Sequence, residues 1–370
     1  MTRDNPCSHS VSRRDVLRWL SAGAVGGVFL PPTALAAPFL QSGGARRITF
    51  PPGAVIRTIL QDVAPGAITG PTLFHEHMSL SKAYWDQMLA GMTPEARQRL
   101  SVPPGETYFL EDLDLIVREM RAAREDGIAC LVDGGHADMG RSVAFLRDVS
   151  TRSGMPIVVS GGYYTQPFHP ADLAGMTDAD LARRLARDAA SERWGAYGEI
   201  ASSAEMTDGE RKVFRAVGKA HLRNGLPIFT HNTGPKHPGD QLDILTSVGV
   251  KPEKIAIGHL GDINDPRAEV HQAICKRGAY VGFDRGIGER QARMIKVLAD
   301  AGHADRVLLS SDFAVARDTK AKGGPGYAKT MILGRPELQK AGIDEETVRG
   351  ILVDNPRRFL AFAPQTSSSR

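Results

Sequence analysis

The chain has 370 residues, 42% of them hydrophobic, and a formal net charge of +4. This length supports a large single core, and the near balance of charge, with no basic run interleaved with aromatics, excludes nucleic acid as the main partner. Three cysteines are too few for a disulfide framework.

The first segment reads as an address rather than as fold. Ser12-Arg-Arg-Asp-Val-Leu17 is a twin-arginine pattern, followed by an apolar run from Trp19 to Leu30 and a small-residue cleavage pattern at Ala34-Leu-Ala36. The run is shorter than the roughly 20 residues a bilayer span requires. Residues 1–36 are therefore expected to be a Tat signal peptide. Residues 37–364 are expected to form one domain, and the Ser-rich residues 365–370 a disordered tail. The expectation carries a partner, the Tat export machinery, and a location, the periplasm or outside the cell, with no stable membrane insertion after processing. Cys7 leaves with the leader, and Cys130 and Cys275 read as buried core residues.

Pro51-Pro-Gly53 opens a tight early turn, read as the start of a short N-terminal β-hairpin. From there β-branched runs alternate with amphipathic stretches, the signature of parallel βαβ units. Strands are expected at Thr72 to His75, Ala129 to Asp133, Ile157 to Ser160, Ala196 to Ile200, Pro227 to His231, Ile255 to His259, Ala279 to Phe283 and Val307 to Ser311. Helices are expected over Asp112 to Ala123, Ser142 to Ser153, Asp178 to Ser191, Asp208 to Asn224, Asp265 to Lys276, Gln291 to Ala301 and Asp344 to Val353. Thr207 with Glu210 forms a capping box, and Gly127 and Gly225 stand where helices should stop. Eight strands define the fold class as α/β, a single (β/α)8 TIM barrel.

Such barrels place their chemistry at the C-terminal ends of the strands. His75 and His77 alternate along the first strand and so share a face. The fourth strand ends at Glu199, the fifth at His231, the sixth at His259 and the eighth at Asp312. Singly, each has an ordinary reading: Glu199 as a salt bridge, His231 and His259 as satisfied core histidines, Asp312 as a helix cap. Together at one rim, four imidazoles and two carboxylates form a donor set for divalent metal. His136, His169 and His237 fall on rim loops, and His221, His271 and His303 read as helix-surface residues. The segments Trp85 to Gly105, Thr165 to Gly175 and Ala314 to Gly326 are expected to be pocket-lining loops.

With His75-Glu-His77, Met139-Gly-Arg141, Gly161-Gly-Tyr-Tyr164, Gly198-Glu-Ile200, Thr230-His231, Gly258-His-Leu-Gly-Asp262, Ser310-Ser-Asp312 and Asn355-Pro-Arg-Arg358 in place, the chain resembles the phosphotriesterase family of the amidohydrolase superfamily. It is similar to the branches called phosphotriesterase-related proteins and phosphotriesterase-like lactonases. The resemblance implies two divalent ions per chain, zinc first with cobalt or manganese as alternatives. His75, His77 and Asp312 would hold the more buried ion, His231 and His259 the more exposed one, and Glu199 would bridge them. The best-known members carry a carboxylated lysine where this chain has Glu199, which argues against organophosphates as the main substrates. Phe283-Asp-Arg-Gly286 resembles the lactonase turn whose arginine lies beside the lactone, and Tyr164 matches a lactonase tyrosine that reaches the metal-bridging hydroxide.

The expected function is that of an exported binuclear hydrolase cleaving a small carboxylic ester or lactone with that hydroxide. Asp312 would shuttle the proton, and Arg285 and Tyr164 would orient substrate, although Arg285 could equally pair with Asp284 or another rim acid. Phosphotriester or N-acyl amide hydrolysis is the same-class alternative, and a non-catalytic periplasmic metal- or ligand-binding barrel the alternative of another class. The sequence leaves a homodimer open.

Overall fold

The computed structural model describes residues 48–234 and 236–364. The segment expected to be a Tat signal peptide, its expected cleavage point at Ala36 and the Ser-rich residues 365–370 lie outside the described residues. A two-stranded antiparallel hairpin, β1 (Ile56–Arg57) and β2 (Asp62–Val63), comes first. Eight parallel strands follow, each hydrogen-bonded to its sequence neighbour: β3 (Thr72–Glu76), β4 (Cys130–Asp133), β5 (Ile157–Gly161), β6 (Ala196–Ser202), β7 (Ile228–Asn232), β8 (Ile255–Ile257), β9 (Tyr280–Phe283) and β10 (Val307–Leu309). The sheet closes where the His75 N–H donates to Ser310 Oγ at 2.9 Å and the Asp312 N–H to the His75 carbonyl at 3.2 Å. The architecture is a (β/α)8 barrel.

Alternation along the strands splits the core into two layers. Phe74, Val132, Val158, Ala196, Phe229, Ala256 and Leu308 pack together in one cluster. Leu73, Leu131, Val159, Tyr197, Ile228, Ile257, Val281 and Leu309 belong to the other, shared with the surrounding helices. Burying such aliphatic and aromatic side chains contributes about 1.5 to 3 kcal/mol each. Among the described residues no helix is long and apolar enough to cross a membrane.

Where the structure departs from the sequence reading, the causes are local. β8 stops at Ile257 and β10 at Leu309, because His259 and Asp312 turn into left-handed backbone with φ of 59° and 48°. The helix expected from Asp265 begins at Glu269. Asp265 instead accepts the Val270 N–H at 2.9 Å, while Ala268 takes a φ of 51°. The stretch expected as a loop from Trp85 to Gly105 is helical over much of its length, in the helices Lys82–Ala90 and Pro94–Leu100. A helix at Pro238–Ser247 was not foreseen, because Pro238-Gly239 reads as a break although proline suits a first helical turn. The last expected helix is Glu345–Arg349 followed by a wide π turn, Gly350–Asp354.

Candidate metal centre

The strands that carry the first and fourth donor groups are both irregular at those groups. The β3–β4 register shifts between Leu73 and Glu76, and the β6–β7 register between Tyr197 and Ile200. Such irregularities re-aim side chains beside active sites. They bring the imidazoles of His75 and His77 to a ring separation of 5.4 Å and turn Glu199 toward both. Glycine is required beside them: a Cβ on Gly198 would lie 2.2 Å from the Phe229 ring, and one on Gly134 would lie 2.8 Å from the His75 ring.

All six residues expected at the rim converge. Glu199 Oε2 lies 3.3 Å from His75 Nε2, 2.7 Å from His231 Nδ1 and 3.4 Å from His259 Nε2. Its Oε1 lies 3.3 Å from His77 Nε2. Asp312 Oδ1 is 3.0 Å from His77 Nε2 and 3.7 Å from His75 Nε2. Two overlapping donor groups result: His75, His77, Glu199 and Asp312, then Glu199, His231 and His259. Glu199 is common to both.

Burial and charge set the protonation of this cluster. Burial alone would raise the Glu199 pKa, but His75 and His231 beside it hold the carboxyl well below its ordinary value. Asp312, likewise penalised by burial, is held well below its ordinary value by His77, His75 and Arg285. Burial and neighbouring His259 push His231 down to about 4, so its ring is neutral near pH 7. His77 is opposed by burial yet raised to about 9 by Asp312 and Glu199. Glu199 is faced by imidazoles and Asp312 by imidazoles and Arg285, and two ionised carboxylates among rings of which His231 is neutral suit an added positive charge. His75 Nε2, fully buried and without a hydrogen-bond partner, points to the same conclusion. The donors fit a pair of divalent ions.

A second ring of residues aims the first. Asp284 holds His75 Nδ1 at 3.0 Å, His259 Nδ1 at 3.0 Å and the His259 N–H at 2.9 Å. The sequence reading missed this role; the signal was an acidic residue at the end of the seventh barrel strand. Asp284 does not pair with Arg285. Arg285 instead donates from Nε to Asp312 Oδ2 at 2.9 Å and from Nη1 to Asp262 Oδ2 at 3.0 Å. Glu76 accepts from Ser310 Oγ, the Ser311 N–H and the Phe313 N–H at 2.8 to 3.0 Å, fixing the turn that presents Asp312. Gln241 donates to the His231 carbonyl at 2.9 Å.

Tyr164 stands beside His231, its hydroxyl 3.4 Å from both ring nitrogens. Of the other histidines, His136 is fully buried, His169 donates to the Tyr164 carbonyl at 2.8 Å, and His237 meets Asp240 and the Ala204 carbonyl. His221 and His271 are not helix-surface residues. Both are buried and bonded to carbonyls, of Leu226 at 2.7 Å and of Leu260 at 3.0 Å, because their helices pack on both sheet and neighbours.

A barrel with four histidines and two carboxylates gathered at the C-terminal ends of its strands is the architecture of a metal-dependent hydrolase. Residues 56–360 match the model of the phosphotriesterase family, and the chain belongs to that family. It is 30% identical over 306 residues to the phosphotriesterase homology protein of Escherichia coli strain K12, covering 79% of this chain and 98% of that one. It is 26% identical to an N-acetyltaurine hydrolase of Tetraodon nigroviridis, over 83% of this chain and 98% of the relative. The crystal structure of a lactonase from Listeria monocytogenes superposes with a TM-score of 0.71 at 25% identity, covering 83% of this chain and 98% of that chain. The protein is a metal-dependent hydrolase, and the family works with a binuclear divalent centre.

Proposed function

We propose that the protein cleaves a carboxylic ester or lactone at a pair of zinc ions, with His75, His77 and Asp312 holding one ion, His231 and His259 the other, and Glu199 bridging them. Bound divalent ions supply an acidified water and a Lewis acid for the acyl carbonyl. The remaining chemistry belongs to the chain. Arg285 carries the reading: its guanidinium is fixed between Asp262 and Asp312 at the edge of the donor cluster with a third of its side chain exposed. From there it can donate a charge-assisted hydrogen bond to an oxygen that gains charge in acyl transfer. Tyr164 offers a neutral hydroxyl beside His231, its pKa raised by burial and by Glu199. Asp312, facing His77 through Oδ1 and Arg285 through Oδ2, is the carboxylate placed to take the nucleophile's proton and return it to the leaving group.

N-acyl amide hydrolysis is the second reading, supported by the N-acetyltaurine hydrolase relatives. The twin-arginine pattern supports export by the Tat route to the periplasm, tested by Arg13→Lys with Arg14→Lys, which should retain the precursor in the cytoplasm. The substrate class is tested by a panel of lactones, carboxylic esters, N-acyl amides and phosphotriesters on zinc-, cobalt- and manganese-loaded protein. Arg285→Ala should lower ester and lactone turnover about 30- to 1,000-fold, the equivalent of roughly 2 to 4 kcal/mol, with metal content unchanged. If the variant keeps ester and lactone turnover while amide cleavage falls, the amide reading replaces this one. A metal-loaded protein inert on the whole panel would be a binding barrel.

A further inference from the structure

Tyr164 sits two residues beyond a pair of glycines, Gly161 and Gly162, at the exit of β5. Gly162 has a φ of 153°, and a Cβ there would lie 2.2 Å from Ile200 Cδ1, so the turn needs glycine and brings little rigidity of its own. Something else must fix the tyrosine. Its N–H donates to Asp138 Oδ2 at 2.8 Å, and its carbonyl accepts from His169 Nε2 at 2.8 Å. Its ring packs edge-on against Tyr84 and Phe168 at centroid separations of 5.8 and 5.6 Å. Behind Asp138 the fully buried His136 places Nδ1 3.5 Å from Oδ1.

We propose that Asp138 and His169 are positioning residues that clamp the backbone of Tyr164 on both sides of its Cα from two different rim loops and so hold its hydroxyl over His231 and the metal-ligand cluster. The inference rests on the proposed role of Tyr164 in turnover, and adds two side chains that touch no substrate. The two hydrogen bonds use both backbone polar groups of one residue, which lie in the two peptide planes flanking its Cα, so neither φ nor ψ of Tyr164 can drift without straining one of them. A side-chain acceptor supplied by an ion is stronger than a neutral one, which suits Asp138 to a turn whose own sequence is permissive. The aromatic neighbours fix the ring, and the clamp fixes where the ring starts.

The test uses full-length, zinc-loaded protein carrying 13Cζ-labelled tyrosine, with δ-valerolactone hydrolysis as the kinetic readout. The chain has seven tyrosines, so the Tyr164 signal is assigned as the one lost in Tyr164→Phe. Tyr164→Phe should lower kcat about tenfold, the loss of one hydrogen bond. Asp138→Ala and His169→Ala should each lower kcat by up to about the same factor, with KM little changed, and each should move the Tyr164 13Cζ signal. Asp138→Asn should restore most of the turnover and leave the signal near its wild-type position, because the amide oxygen still accepts the Tyr164 N–H. In the Tyr164→Phe background, Asp138→Ala should cost less than about a further twofold. Losses that multiply in the double variant, or a Tyr164 signal unmoved by both alanine variants, overturn the clamp. If the wild type turns over neither lactone nor ester, the functional reading fails, and the 13Cζ signal alone still decides whether Asp138 and His169 hold the hydroxyl in place.

Discussion

Asp284 ties together two imidazoles that reach the site from different strands, His75 on β3 and His259 beyond β8. A carboxylate bonded to the far nitrogen of a ligating histidine fixes its tautomer and ring angle and raises its basicity. Asp284→Asn keeps the shape but cannot accept from both rings and the His259 N–H as a carboxylate does. It should weaken metal binding about 10- to 100-fold, read by competition with a chromophoric chelator. Unchanged affinity would mean the rings are held by packing alone. The six rim residues were legible because strand alternation and the barrel's polarity place them by rule. Asp284 was hidden beside Arg285, since nothing in the order of two adjacent charged residues says which faces inward.

At the scale of elements, Glu210 links the helix Asp208–Asn224 to the rim loops after β5 and β6. It accepts from the Thr207 N–H at 2.9 Å, the Ser203 N–H at 3.1 Å, Ser203 Oγ at 2.6 Å and the Gln166 N–H at 3.1 Å, and it is fully buried. The capping box that the sequence announced is present, but the two loops it also serves were not readable from a local motif. Thr207→Ala should cost about 1 kcal/mol. Glu210→Ala leaves four donors without their carboxylate and should cost about 3 kcal/mol or more. Urea denaturation midpoints separate the two, and equal losses would reduce Glu210 to an ordinary capping residue. The helices Lys82–Ala90 and Pro238–Ser247 escaped the sequence reading for a different reason: the first lies in a stretch taken for a rim loop, and the second opens on Pro-Gly. Both are helices because tertiary packing, through buried Tyr84, Trp85 and Leu89 in one and Leu242 and Leu245 in the other, outweighs weak local signals.

For the whole molecule, the barrel stacks its polar cluster on an apolar core of Phe74, Val132, Phe229 and Leu308, which meets the donors at His75, where the Phe229 ring lies 5.3 Å away, and is otherwise packed on itself. The metal-free chain should therefore fold, but with lower stability, because ions bound only by the native state stabilise it by mass action. Chelation should lower the melting temperature by about 6 °C, a shift that matches roughly 4 kcal/mol at a thousandfold excess over the dissociation constant. A melting temperature indifferent to chelator would mean that the donor cluster holds no ion in the native protein.

Elemental analysis of the purified, dialysed protein measures directly whether Glu199 serves two ions at once. The expected result is about two divalent ions per chain, since six donors exceed the needs of one tetrahedral zinc, falling to about one or fewer in Glu199→Ala with the barrel still folded. A fully active wild type holding a single ion, or a Glu199→Ala variant that keeps both, would contradict the bridging role of Glu199.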